Sequence, residues 1–321
     1  MNHRIKIYST NQMNILVGPH DVNLKLLNRY LKVKIELQND ELIINGDDDS
    51  VMKAKTALTF LIKLIDSNVI MTERDIVYII KLSNQAKLDD SILDLYKNRT
   101  KILFNNYGKP IYPKTFNQKR YVDLIDTKDL VFAIGPAGTG KTYLAVAKAV
   151  EALKKNKVKK VILTRPAVEA GEQLGFLPGD LKEKIDPYLI PLYDALAEFL
   201  GKQNMKELIE KEIIEIAPLA YMRGRTLENA FVILDEAQNA SSTQLKMFLT
   251  RLGFNSKMII TGDPSQTDLR KIEAKMLIDV TKMLDRLSEI GLVNFDNLDV
   301  SRPLLVQKIL DIYDEIENKN P

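Results

Sequence analysis

Gly135-Pro136-Ala137-Gly138-Thr139-Gly140-Lys141-Thr142 fits the pattern G-x-x-x-x-G-K-[ST], and it constrains the fold more than any other stretch of the chain. The pattern is short, and its flanks give it weight. Leu130-Val131-Phe132-Ala133-Ile134 is an unbroken apolar run of strand length, as a strand buried on both faces of a parallel sheet requires. Tyr143 to Leu153 is rich in Ala, Val and Leu and reads as a helix. A glycine-rich loop between such elements turns its backbone N–H groups inward, and the helix start adds partial positive charge, so the loop suits phosphate. Gly135 to Tyr143 are expected to line a nucleoside triphosphate. Lys141 would reach its β- and γ-phosphates, and the Thr142 hydroxyl would ligate Mg²⁺.

A second acidic landmark follows. Phe231-Val232-Ile233-Leu234 is another buried strand, and it ends in Asp235-Glu236-Ala237-Gln238. Downstream of a phosphate loop, this spacing assigns Asp235 to the metal and Glu236 to polarising an attacking water. Lys257 to Ile260 predicts the next core strand, leading into Thr261-Gly262-Asp263-Pro264-Ser265-Gln266. Gln266, at the carboxyl end of a strand beside the loop strand, suits a sensor of the γ-phosphate. Further strands are predicted over Lys159–Thr164, over Glu212–Ile216, and at an edge within Leu292–Val300. Ser241 or Ser242 caps a helix carrying Leu245, Phe248, Leu249 and Leu252. Arg165 to Leu200 is dense in Gly and Pro, which predicts a long functional loop with helix resuming near Leu192.

With 321 residues, 45% hydrophobic and 28% charged, the chain has room for about two domains, and the expected division is 1–96, a linker at 97–118, and 119–321. In the first part, Ile15-Leu16-Val17 reads as a strand, and Gly18-Pro19-His20-Asp21 as a turn with Asp21 capping a helix of Leu24, Leu27 and Leu31. Val33–Leu37 and Leu42–Ile44 read as paired strands, and Val51, Ala54, Leu58, Leu61 and Ile65 as one helix face. Thr72 and Asp75 form a capping box that opens a helical pair running to about Tyr96. This order resembles a KH-type RNA-binding module without the expected G-x-x-G loop, and a docking or oligomerisation domain reads equally well. The linker carries Lys97, Arg99, Lys101, Lys109, Lys114, Lys119 and Arg120 with no acid, interleaved with Phe104, Tyr107, Tyr112 and Phe116. That composition suits single-stranded nucleic acid, or else an ordinary basic linker packed on its neighbour.

A net charge of +3 selects no partner by itself. With no cysteine and two histidines, thiol chemistry is excluded and a zinc site nearly so. Met1–Thr10 lacks an apolar signal core, and the most apolar window, Leu58–Ile65, is short and carries Lys63. The expectation is a cytoplasmic chain with no membrane span.

Taken together, Gly-Pro-Ala-Gly-Thr-Gly-Lys-Thr, Asp-Glu-Ala-Gln-Asn and Gly-Asp-Pro-Ser-Gln resemble three motifs of superfamily 1 helicases. From about Lys109 onward the chain is similar to PhoH-like proteins. This rests on Thr164-Arg165-Pro166-Ala167-Val168-Glu169-Ala170-Gly171-Glu172, Gly175-Phe176-Leu177-Pro178-Gly179-Asp180, Met222-Arg223-Gly224-Arg225-Thr226 and Pro113-Lys114-Thr115-Phe116-Asn117-Gln118. The resemblance implies an α/β fold: a single RecA-like P-loop NTPase domain with a parallel sheet, behind a small KH-like unit. It also implies that Gln118 reads the adenine edge, and that the chain is a cytoplasmic ATP-binding protein linked to single-stranded or ribosomal RNA. Short members are often encoded beside an rRNA-processing endoribonuclease, a possible partner.

Such helicases close ATP between two RecA-like domains, and this chain has room for one. The missing wall is then expected from another subunit, in a homo-oligomeric ring with an arginine finger supplied in trans by Arg302 or Arg223, Arg225 being a third candidate. The leading expectation is an Mg²⁺-dependent ATPase coupled to RNA binding or remodelling, with the resemblance implying a helicase-like activity. The alternative is a slow, nucleotide-gated adaptor that positions the endoribonuclease.

Overall fold

A computed structural model describes residues 2–166, 181–266 and 271–300, together with 306, 309 and 312. It divides into two compact units, Met1–Arg99 with Lys114–Phe116, and Thr100–Pro113 with Asn117–Pro321.

The first unit runs β1 (Asn2–Lys6), α1 (Thr10–Val17), α2 (Val22–Leu31), β2 (Lys34–Gln38), β3 (Glu41–Asn45), α3 (Asp48–Asp66), α4 (Glu73–Asn84) and α5 (Asp90–Lys97). Its three strands pair antiparallel in the order β1-β3-β2. The central strand buries Leu42, Ile43 and Ile44, and α3 buries the expected Val51, Ala54, Leu58, Leu61 and Ile65 against the sheet. The Thr72–Asp75 capping box is present. Asp75 also takes an ion pair from Arg99 at 2.6 Å, and the Arg99 guanidinium lies 3.9 Å from the Tyr96 ring centroid.

Two expectations fail here. Ile15-Leu16-Val17 is helical, because Ser9 accepts the Gln12 N–H and starts α1. The true first strand, Asn-His-Arg-Ile-Lys, is an edge strand with one aliphatic residue, so it carries almost no apolar signal. Asp21 stands at the start of α2 but with φ +58° and no capping bond from its side chain. Gly18–Asp21 consequently joins two helices rather than a strand and a helix.

The second unit opens with a hairpin, β4 (Leu103–Phe104) and β5 (Pro110–Ile111), and α6 (Phe116–Thr127). It continues through β6 (Leu130–Ile134), α7 (Lys141–Lys154), β7 (Lys160–Arg165), α8 (Leu181–Leu200), α9 (Lys202–Glu210), β8 (Ile214–Pro218), β9 (Ala230–Leu234), α10 (Ser242–Leu249), β10 (Lys257–Gly262), α11 (Lys271–Leu284) and β11 (Ile290–Asn294). Six strands form one parallel sheet in the order β11-β6-β10-β9-β7-β8. Alternate residues feed two apolar layers. Val131, Ala133, Val161, Leu163, Phe231 and Ile233 join one with α7 and α8, while Phe132, Ile134, Ile162, Val232 and Leu234 join the other with α10. This is the helix-covered parallel α/β class expected from the apolar strand runs.

The helix predicted to resume near Leu192 begins at Leu181. Pro187 and Pro191 each remove one helical N–H. Leu189, Leu192, Leu196 and Phe199 are buried in the apolar layer with α7, which offsets that loss. The edge strand begins at Ile290 and ends at Asn294, short of the expected Val300. Ser241 is the cap of α10, with Gln244 completing a capping box. Among the described residues no helix is long and apolar enough to cross a membrane.

Candidate nucleotide site

Strand register decides which side chains meet. Ile134 pairs with Gly262, Leu234 with Ile260 on one side and with Thr164 on the other. The carboxyl ends of β6, β10, β9 and β7 thus lie level, and the residues that follow them share one edge of the sheet, where ligands of open α/β sheets bind. Those residues are the Gly135 loop, Asp263, the Asp235-Glu236 pair and Arg165.

The loop is tightly held. Gly135 has φ +143°, and a Cβ there would lie 2.3 Å from the Phe295 carbonyl oxygen, so only glycine fits. Its N–H donates to the Gly262 carbonyl at 3.1 Å. Gly138 and Gly140 also have positive φ, 81° and 84°. Lys141 is buried, and its Nζ donates to the carbonyls of Gly135 and Pro136 at 2.6 and 2.7 Å. Thr139 is fully buried, and its Oγ1 donates to the Pro136 carbonyl. The Ala137 N–H donates to Asp263 Oδ2 at 3.0 Å. Buried Gln118 donates from Nε2 to the Thr139 carbonyl at 2.9 Å, so it contacts the loop itself. Tyr143 sends its hydroxyl to Glu198 Oε1 at 2.7 Å and packs its ring on Phe199, so its side chain belongs to the α7–α8 contact.

Asp235 is 1% exposed and accepts four hydrogen bonds. Its Oδ1 takes the hydroxyls of Thr142 at 2.6 Å and Thr261 at 2.5 Å. Its Oδ2 takes Arg165 Nε at 2.8 Å and the adjacent Arg165 terminal nitrogen. Glu236 has φ +56° and a half-exposed side chain. Gln238 Nε2 donates to Glu236 Oε2 at 2.6 Å and to the Gln266 carbonyl at 3.0 Å, while its Oε1 accepts the Asp263 N–H at 2.9 Å. Gln266 is exposed at this edge. Among the described residues no three His, Cys, Asp or Glu side chains gather for a metal. One carboxylate and one hydroxyl, Asp235 and Thr142, suit a hard cation whose other ligands come from phosphate and water.

The structure thus brings together Gln118, Gly135 to Thr142, Asp235 and Glu236, with the backbone of Gln266. Arg225 forks onto Glu215, at 2.5 and 2.7 Å, and is spent inside its own chain. Arg223 is exposed beside Gly224, and Arg302 lies outside the described residues, as do the expected signature residues 167–180. Sequence reasoning gave no individual role to Arg165, Gln238 or Asp263. Each is a polar residue within four positions of a strand end, and only the register shows that they share one site.

A family model described as "PhoH: PhoH-like protein" matches residues 110–314. A "PhoH-like protein" of Bacillus subtilis (strain 168) is 51% identical over 315 residues, covering 98% of this chain and 97% of that one. "Protein PhoH" of Escherichia coli (strain K12) is 47% identical over 206 residues, 64% of this chain and 58% of that one. Among solved structures, the UvsW helicase from bacteriophage T4 aligns with a TM-score of 0.37 and 13% identity over 65% of this chain and 68% of that one. With its parallel sheet, its phosphate loop and an acidic pair at the neighbouring strand end, this chain belongs to the PhoH-like protein family.

Proposed function

We propose that the chain is an Mg²⁺-dependent ATP hydrolase whose turnover is coupled to RNA. The observation that carries the first half is the convergence of Lys141, Thr142, Asp235 and Glu236 on one sheet edge. Lys141 exchanges its two carbonyl partners for the β- and γ-phosphates, since an ammonium gains more from phosphate oxygens than from neutral carbonyls. Thr142 and Asp235 hold the cation, which when bound neutralises charge on the transferring phosphoryl group. Glu236 is the general base, oriented by Gln238 from below. Gln266 senses the γ-phosphate through the same Gln238 bridge, and Gln118 reads the adenine edge.

A single nucleotide-binding domain leaves one wall of the site open. A second copy, in a ring, supplies it together with an arginine finger, for which the candidates are Arg302 and Arg223, the latter exposed. The acid-free segment 97–120 supports single-stranded or ribosomal RNA as the polymer. A second reading draws on the tied-down state of the site, with Lys141 held by loop carbonyls and Asp235 by Arg165. On that reading the chain hydrolyses slowly and serves as a nucleotide-gated adaptor for an endoribonuclease.

Steady-state ATP hydrolysis with and without single-stranded RNA, across a protein dilution series, separates the two. The coupled ring predicts a rate per subunit that rises with both RNA and protein concentration. A slow rate indifferent to both would remove the coupled ring and leave the adaptor.

A further inference from the structure

We infer that the β4–β5 hairpin is the single-stranded nucleic acid contact of the second unit, and that Glu198 links it to the phosphate-loop helix. The inference rests on the RNA-coupled reading above and assigns side chains to it. Leu103 pairs with Ile111 and Phe104 with Pro110. Ile102 and Leu103 are buried in the apolar layer shared with α7 and α8, which anchors one side of the hairpin. Phe104 on β4 is 51% exposed, and Tyr107 in the turn is 76% exposed. Packing does not explain two aromatic rings left in water on a two-stranded ribbon. Lys101 Nζ stands 3.7 Å from the Phe104 ring centroid, and Lys109 is exposed at the far end of the turn. Rings flanked by lysines, with no carboxylate anywhere in 97–120, match a ligand that offers flat bases and a phosphate at each step.

The turn is rigid. Asn105 is buried, and its Oδ1 accepts the N–H groups of Tyr107 at 3.1 Å and Lys109 at 2.9 Å. Its own N–H donates to the Lys109 carbonyl at 2.9 Å, and Gly108 closes the turn at φ +71°. The platform is therefore formed before any ligand arrives.

It also shares a carboxylate with the first turn of the phosphate-loop helix. Glu198 Oε1 accepts Asn105 Nδ2 at 3.3 Å from the hairpin and the Tyr143 hydroxyl at 2.7 Å from α7. The Glu198 carbonyl accepts the Asn106 N–H at 2.8 Å. Tyr143 directly follows Thr142 and stands in the first turn of α7 with Lys141. A base stacked on Phe104 and Tyr107 loads Asn105 and Asn106, and the only side chain these two residues share with the first turn of α7, among the hydrogen bonds described here, is Glu198.

The test uses the full chain. Binding of fluorescein-labelled oligouridine is followed by anisotropy, and ATP hydrolysis is measured with and without that RNA, for wild type, Phe104→Ala/Tyr107→Ala and Glu198→Leu. Loss of two stacking rings predicts RNA affinity weaker by about 30-fold or more, with basal hydrolysis within about twofold of wild type. Glu198→Leu keeps the bulk of the side chain but removes the acceptor that Asn105 and Tyr143 share, and it predicts RNA affinity within about threefold of wild type with RNA stimulation lost. Wild-type RNA affinity in the double variant would overturn the hairpin assignment alone, as expected if the rings dock a protein. Full stimulation in Glu198→Leu would overturn the link. A wild-type chain that binds no oligouridine would overturn the RNA-coupled reading itself.

Discussion

Replacing Arg165 by Met removes the buried ion pair at the centre of the site, together with a longer 3.9 Å contact to Glu236. The Asp235 carboxylate is 1% exposed and receives a fork of two N–H bonds from Arg165, whose side chain is 15% exposed. Removing one member of a buried pair leaves an uncompensated charge and costs about 3–5 kcal/mol. Thr142 and Thr261 still donate hydroxyls to Oδ1, which places the loss near the lower end, about 3 kcal/mol. For a unit of this size that corresponds to a melting temperature lower by about 6–12 °C. Asp235→Asn removes the charge instead, and Arg165, closer to solvent, keeps some hydration, so its cost is smaller. In the double variant Arg165→Met/Asp235→Asn the two losses overlap, and the cycle predicts a coupling energy of about 2 kcal/mol. Chemical denaturation followed by circular dichroism measures all four chains. A Met variant within about 1 kcal/mol of wild type, or losses that simply add, would refute the reasoning.

Gly135→Ala places a methyl 2.3 Å from the Phe295 carbonyl in a backbone conformation that L-residues rarely adopt, and nucleotide binding measured by calorimetry should be lost with it. Tyr121→Phe should go the other way. The Tyr121 hydroxyl is buried with no hydrogen-bond partner among the described residues, so its removal is neutral or stabilises by about 1–3 kcal/mol in a thermal melt at neutral pH. Burial, and then the charge of Asp235, pushes the Tyr121 hydroxyl well above its ordinary 10.0, and burial raises Tyr96 likewise. The neutral forms are the ones the fold holds. Their contribution is complete below pH 10.0 and is lost as pH rises above it, where the unfolded chain ionises first. The Phe variant should lose less stability than wild type between neutral and strongly alkaline pH.

What the sequence made legible was local. The phosphate loop, the buried runs at 130–134 and 231–234, and the α3 face are patterns over a few consecutive residues, and the structure forms each of them as expected. What it hid depends on register or on long-range burial. Arg165 meets Asp235 across 70 positions because β7 and β9 are neighbours. Glu198 meets Tyr143 across 55 because α8 packs on α7. The strand Asn2–Lys6 is polar because both its faces are partly solvated, so periodicity had nothing to detect. Ile15-Leu16-Val17 has β-branched content, yet the cap at Ser9 and the burial of Leu16 make it helix, a case of context overriding propensity.

The most direct test of the central claim is single-turnover hydrolysis of radiolabelled ATP by Glu236→Gln, with binding of the same nucleotide measured in parallel and Lys141→Ala as the control that does not bind. The amide keeps the shape and the bond to Gln238 but takes no proton. The account predicts ATP bound at close to wild-type affinity and cleaved slower by about 10²–10⁴-fold. Cleavage at the wild-type rate would contradict it, because the water would then be activated by some group other than the one at the end of β9.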